Sequence, residues 1–199
     1  MTRIEKNTAT QSKVSQNQVQ SDITDQTTSS SKERWIPYLI GTLVLLLDFV
    51  SKEIIRSNLP LYTYWAPFPA LEPFFRITHT SNTGVAFGLF QFQSANLVFS
   101  LFALVISVGI VVFNQKLEPG NALLRVALGL QLGGALGNLL DRVTQGAVTD
   151  FLDFGPWPVF NVADTAVVAG VILMGYVLLQ EELEEREKNS PNQDESAAG

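Results

Sequence analysis

Two aspartates, Asp150 and Asp164, bracket a short connection containing Pro156 and Pro158. Asp150 stands in the apolar run Val148-Thr149-Asp150-Phe151-Leu152-Asp153-Phe154, and Asp164 in Phe160-Asn161-Val162-Ala163-Asp164-Thr165. Two carboxyls sharing one site cannot both ionise easily, so the pair holds an acid and a base at once. Peptide hydrolysis by an activated water needs that combination. A plainer reading of Asp164 stands beside this one: Asn161 is the N-cap of a helix and Asp164 an acid in its first turn, favoured by the helix dipole. A second pair, Asp48 and Lys52, lies four residues apart, on one face of a helix. It is either a structural ion pair or part of the site. A third group, Asn138, Asp141 and Arg142, ends a glycine-rich segment, with Asp141 and Arg142 read as a charge-compensated pair. The chain has no cysteine and one histidine, His79. Disulfides, thiolate catalysis and multi-histidine metal sites are thereby excluded, and acid–base chemistry falls to carboxylates.

The elements that hold these residues are apolar. Of 199 residues, 46% are hydrophobic and 16% charged, against about 25% charged in an ordinary soluble domain. Residues 1–33 are polar, without hydrophobic periodicity or a signal-peptide core, and read as a disordered tail. The core domain spans 34–180, and a charged tail over 181–199, read as disordered and cytoplasmic, carries much of the net charge of −6. Within the core, four apolar stretches run from Trp35 to about Ile55, Ala95 to Phe113, Ala122 to Leu140 and Val159 to Leu179. Each has about the 20 residues that cross a bilayer as a helix. The fold expected is an all-α membrane protein of four transmembrane helices, with a small extracytoplasmic β-cradle between the first and second. Alternation around Phe74-Phe75-Arg76-Ile77-Thr78-His79-Thr80 marks a strand there, and an amphipathic piece is expected near Trp65.

Lys32, Arg34, Lys116, Arg125, Arg186 and Lys188 flank one side of these stretches; Lys52, Arg56, Arg76 and Arg142 flank the other. The excess places both termini in the cytoplasm and the loops 57–94 and 142–158 outside. Gly129, Gly133 and Gly137 recur at spacing four on the third helix, which lets a neighbouring helix approach closely. That approach sets Asn138, Asp141 and Arg142 against another helix. A charge in mid-bilayer costs at least about 2.5–3.5 kcal/mol, so each buried ionisable group calls for a reason.

Together these blocks resemble the bacterial lipoprotein signal peptidase (signal peptidase II) family. Asp48-Phe49-Val50-Ser51-Lys52, Asn82-Thr83-Gly84-Val85-Ala86-Phe87-Gly88, Gly133 to Arg142, Val148 to Phe151 and Phe160 to Asp164 are similar to its motifs, in its order, over about Trp35 to Gln180. Phe49, Val85 and Thr149 depart from its common residues without removing a needed chemical group. The resemblance implies a catalytic dyad at Asp150 and Asp164 with no metal or other cofactor. It implies supporting or substrate-binding roles for Asp48, Lys52, Asn82, Gly84, Asn138, Asp141, Arg142, Asn161 and Ala163. The implied substrate is a prolipoprotein carrying diacylglycerol on its cysteine, cut just before that cysteine in the bacterial cytoplasmic (inner) membrane. Membrane lipid and a globomycin-type inhibitor are implied partners, and nucleic acid is not. Three other readings stay open on the residues alone. A proton-coupled transporter would carry its acids at mid-helix, or in broken helices with repeats. A structural subunit would tolerate asparagine at every aspartate. A serine hydrolase would hinge on His79.

Overall fold

The computed structural model of the chain describes residues 32–84 and 95–189. The polar head apart from Lys32 and Glu33, the loop residues 85–94 and the last ten residues lie outside the described residues. In order, the elements are α1 (Ile36–Asn58), β1 (Tyr64–Trp65), a 3₁₀ turn (Pro69–Leu71), β2 (Arg76–Asn82), α2 (Ala95–Lys116), α3 (Ala122–Gln145), β3 (Val148–Asp153) and α4 (Val162–Asn189).

Helices α2, α3 and α4 are long and apolar enough to cross a membrane. Helix α1 has 23 residues but gathers Asp48, Lys52, Glu53 and Arg56 in its second half. Its polarity is inside out. Leu39, Leu43, Leu46, Leu47 and Val50 are exposed, whereas Asp48 and Lys52 are 1% and 0% exposed. Pro37, Gly41, Val44, Asp48 and Lys52 fall at helical spacing on one buried stripe. Water would penalise that distribution; lipid favours it, because apolar side chains face the hydrocarbon and charges face protein.

Helix α3 is the hub, packed against α1, α2 and α4, while α2 and α4 scarcely touch. Its glycines set the approach of α1. A Cβ on Gly133 would sit 2.6 Å from the Gly41 carbonyl and 2.6 Å from Val44 Cβ. One on Gly137 would sit 2.6 Å from an Asp48 carboxylate oxygen. Without side chains there, α1 lies close enough for its buried charges to reach α3, as the glycine spacing implies.

The three strands form one antiparallel sheet in the order β1-β2-β3. Tyr64 faces Thr78, Ile77 faces Leu152, Thr80 faces Asp150 and Asn82 faces Val148. Between Ile77 and Thr80, β2 carries one more residue than β3, a bulge. Successive strand residues alternate faces, so the extra residue puts Asn82, rather than Ser81, on the face of Asp150.

Several expectations are corrected here. The sheet is not built from the first loop alone: β3 comes from the α3–α4 connection, because a sheet edge left by β1 and β2 gains a full ladder from it. The piece expected near Trp65 is the short strand β1. The strand begins at Arg76, since Phe74 and Phe75 donate back to Leu71 in a turn. Residues 181–189, expected to be disordered, continue α4, with Arg186–Glu182 and Lys188–Glu184 pairs at helical spacing. Arg125, counted as a loop-flanking cation, is wholly buried.

Candidate active site

The path from α3 to Asp150 is short because α3 ends abruptly. Gly146 adopts φ 77°, closing the helix through its N–H to the Arg142 carbonyl. The chain enters β3 two residues later. Asp141, one turn before the helix end, accepts from the Thr149 backbone N–H at 2.9 Å. That bond fixes the residue next to Asp150.

Beyond β3, the Phe151 and Leu152 N–H groups donate to Phe160, and Phe160 donates back to Leu152. This returns the chain so that α4 starts beside β3. Asn161 caps α4 as its sequence position implies. Its Oδ1 accepts from the Asp164 N–H at 2.9 Å, and Asp164 Oδ2 accepts from the Asn161 N–H at 3.3 Å. The reciprocal pair satisfies donors at both ends of the first turn. The Ala163 N–H, a further free donor of that turn, goes to Asp48 Oδ1 at 2.9 Å.

Asn161 also joins the two candidate acids. Its Nδ2 donates to Asp150 Oδ1 at 2.7 Å and to Asn138 Oδ1 at 3.1 Å. Asn82 donates to Asp150 Oδ2 at 2.8 Å, and Asn138 donates to Asp164 Oδ1 at 2.7 Å. Every oxygen of both carboxyls is thus held by an amide or backbone N–H. Gly84, at φ 90°, donates to Asn82 Oδ1 and so orients that amide. Its backbone lies against Phe99, where a Cβ would collide with the ring.

Asp150 is 2% exposed, whereas Asp164 is only partly buried. Burial pushes the Asp150 carboxyl up to about 6; the Asn82 hydrogen bond opposes the shift, nearby Asp164 adds to it, and Asn161 opposes it. Three residues on, Asp153 goes the other way. Burial would raise it, but the Gly155 N–H, Arg76 and Thr78 outweigh that and hold its carboxyl below the usual range. One strand therefore carries a carboxyl that keeps a proton toward neutrality and another that does not.

Below the pair lies a charge network. Lys52 Nζ is 2.7 Å from Asp48, 3.2 Å from Asp141 and 3.0 Å from Asn138 Oδ1. Arg56 reaches Asp141 at 3.1 Å and Thr149 Oγ1 at 3.0 Å. Asp141 is therefore paired with Lys52 and Arg56, not with its sequence neighbour Arg142. On a helix, adjacent residues point about 100° apart, so neighbours rarely pair. Arg56 was visible in the sequence only as a loop-side cation. A basic residue four positions after Lys52 on the same stripe was the signal for it.

Arg142 instead turns toward Asn138, donating to its carbonyl at 3.3 Å, with its guanidinium 5.5 Å from the Phe99 ring centre. Its Nε is buried without a partner. Beside it, Phe99, Phe102, Ala135, Asn138, Arg142 and Gln131 line a groove of about 190 Å³ in the gap between α2 and α4. On its other flank Asp164 borders an apolar groove of about 510 Å³ along α4, with Trp157 and Ile172 in its wall. His79 lies apart from both acids, its Nδ1 2.7 Å from the Leu59 carbonyl, tying β2 to the end of α1.

A family model described as signal peptidase (SPase) II matches residues 40–180. A lipoprotein signal peptidase of Moorella thermoacetica is 43% identical over 141 residues, covering 71% of this chain and 91% of its own. One from Pelotomaculum thermopropionicum is 40% identical over 144 residues, covering 72% and 91%. A solved bacterial membrane enzyme superimposes with a TM-score of 0.66 at 30% identity, over 79% of this chain and 93% of its own. A second gives 0.65 at 33% identity, over 72% and 92%. Buried carboxyls at the mouth of a multi-pass helical bundle and these likenesses agree: the chain belongs to the signal peptidase II family, the aspartic-type lipoprotein signal peptidases that remove signal peptides from prolipoproteins.

Proposed function

We propose that Asp150 and Asp164 are the catalytic dyad of this peptidase, acting on prolipoproteins whose cysteine carries diacylglycerol and cutting just before that cysteine. The observation that carries this reading is Asn161, which holds a carboxyl oxygen of both aspartates with its side-chain and backbone N–H groups. Burial raises the Asp150 carboxyl to about 6, so Asp150 is the member of the pair that carries the proton. Asp164, nearer the open grooves, takes a proton from the attacking water. Asp150 gives its own to the carbonyl oxygen or to the leaving amine, and the peptide bond is broken.

The remaining residues support the pair. Asn82, Asn138 and Asn161 orient the carboxyls. Asp48, Lys52 and Asp141, with Arg56, fix the ends of α3 and α4 without taking part in proton transfer. Arg142 supplies positive charge beside Asp164 for the oxyanion that develops. Ala163 and Gly84 supply backbone where a larger residue would collide.

The chain crosses the bacterial cytoplasmic membrane four times, α1 being the fourth span, with both termini inside and the dyad near the outer face. Its burial of charge and exposure of leucine support that assignment of α1. The core over 34–180 is the peptidase unit. The substrate comes sideways from the bilayer with its acyl chains in lipid, and a globomycin-type cyclic peptide competes with it. Cleavage of a diacylglyceryl-modified prolipoprotein by purified protein, read as a gel shift, tests the whole reading. Loss with Asp150→Asn and with Asp164→Asn, and partial retention with Asp141→Asn, is expected. Full activity of Asp150→Asn would overturn the dyad.

A further inference from the structure

Gln131 is an amide set in the apolar middle of α3, two turns below Asn138 on the same face. Its stem lies over Gly170 of α4, where a Cβ would stand 2.7 Å from Gln131 Cγ. Among the described residues its only hydrogen-bond partner is weak: Nε2 is 3.9 Å from Met174 Sδ. The amide therefore lacks an oxygen or nitrogen partner among the described residues, and Gln131 lines the groove between α2 and α4. An amide without a strong partner is unfavourable in hydrocarbon, so a polar group entering the groove gains by meeting it.

We propose that Gln131 is a specificity-determining residue that reads a hydroxyl-bearing side chain in the apolar segment of the signal peptide. This rests on the peptidase reading above. The groove runs from Gln131 past Ala135 to Asn138 and Arg142, which adjoin Asp164. Seven helical positions put Gln131 about 10 Å below Asn138. A substrate lying along the groove spans that distance with about three residues if extended, or about seven if helical. The residue read is thus about three to seven positions before the scissile bond. Threonine there gains a hydrogen bond from the Gln131 amide, and its isostere valine leaves the amide unpaired.

The test is a scan of diacylglyceryl-modified prolipoproteins carrying threonine or valine at each of those positions in turn. The ratio of kcat/KM values, threonine to valine, is measured for the wild-type protein and for Gln131→Met, which keeps the side-chain length. A neutral hydrogen bond in such a site supports a ratio of roughly threefold to tenfold, carried mainly in KM. That ratio is expected at one position in the wild type, falling to unity or below in Gln131→Met. A flat wild-type scan overturns the proposal without any variant, and so does a preference that survives in Gln131→Met. A wild-type protein that cleaves none of these substrates overturns the peptidase reading itself, a different outcome from a flat scan.

Discussion

The bundle buries polar groups at both ends, and the two ends differ in kind. At the end where α2 runs into α3, Arg125, wholly buried, donates to the Asn114 carbonyl at 3.0 Å, to the Leu117 carbonyl at 2.8 Å and to the Glu118 carbonyl at 3.2 Å. It also bonds Asn114 Oδ1, while Asn114 Nδ2 donates to the Arg34 carbonyl at 3.0 Å. Glu33 adds a longer contact at 3.9 Å and accepts from the Gly120 N–H. This is a cation closing the carbonyl end of α2, where the helix dipole favours it. Its partners are mostly fixed backbone atoms, and it lines neither the groove beside Asp164 nor the one beside Asn138 and Arg142. At the opposite end Asp48, Lys52, Asp141 and Arg56 balance one another. Beside them sit two further carboxyls, Asp150 and Asp164, with a single partly buried cation, Arg142. A cation held by backbone carbonyls ties helices together, whereas an excess of acid next to open grooves is the arrangement suited to proton transfer.

That contrast can be broken. The largest effect is expected from Asp150→Asn or Asp164→Asn, each lowering kcat at least about a thousandfold in a protein that still elutes as a folded species. If cleavage survives either change, the cluster around Asp150 and Asp164 is structural like the one around Arg125. Next come the buried cations. Lys52→Met strands Asp48 and leaves Asp141 to Arg56 alone, and should cost about 3–5 kcal/mol of stability, read as a large fall in the thermal unfolding midpoint. Arg125→Met should cost a comparable amount, but with kcat unchanged in the protein that remains folded. A selective loss of kcat in Arg125→Met would erase the difference between the two ends.

Smaller is the expected effect of Gly133→Ala, whose methyl would meet Gly41 and Val44. About 1–3 kcal/mol of destabilisation should follow as α1 moves off α3. Smallest is a shift in pH dependence. Asp150 must hold its proton to act as the acid, so kcat/KM should fall as pH rises through about 6. Asn82 stabilises the ionised form and holds that value down. Asn82→Ala should therefore move the alkaline limb upward, and a downward movement would reverse the assigned roles.

Much of the site was legible because membranes make polar residues conspicuous. Asp48, Lys52, Asn138, Asp141, Asp150 and Asp164 stand out against apolar neighbours, and the first-turn pattern at Asn161 fixes the start of α4 by local hydrogen bonding alone. Gly129, Gly133 and Gly137 announce a close helix contact for the same local reason. The partner of each charge was not legible. Asp141 pairs with Lys52 and Arg56 rather than Arg142, because pairing depends on which faces two helices present to each other and not on adjacency. The contribution of β3 to the sheet, and the bulge that brings Asn82 onto the face of Asp150, depend on register between segments about 70 residues apart in the chain. Arg125 read as a loop cation because its burial needs the ends of α1 and α2 in place. Amino-acid types and short-range spacing determined the helices, the cap and the acids available; long-range contact assigned partners, register and depth, since those energies exist only once distant segments meet.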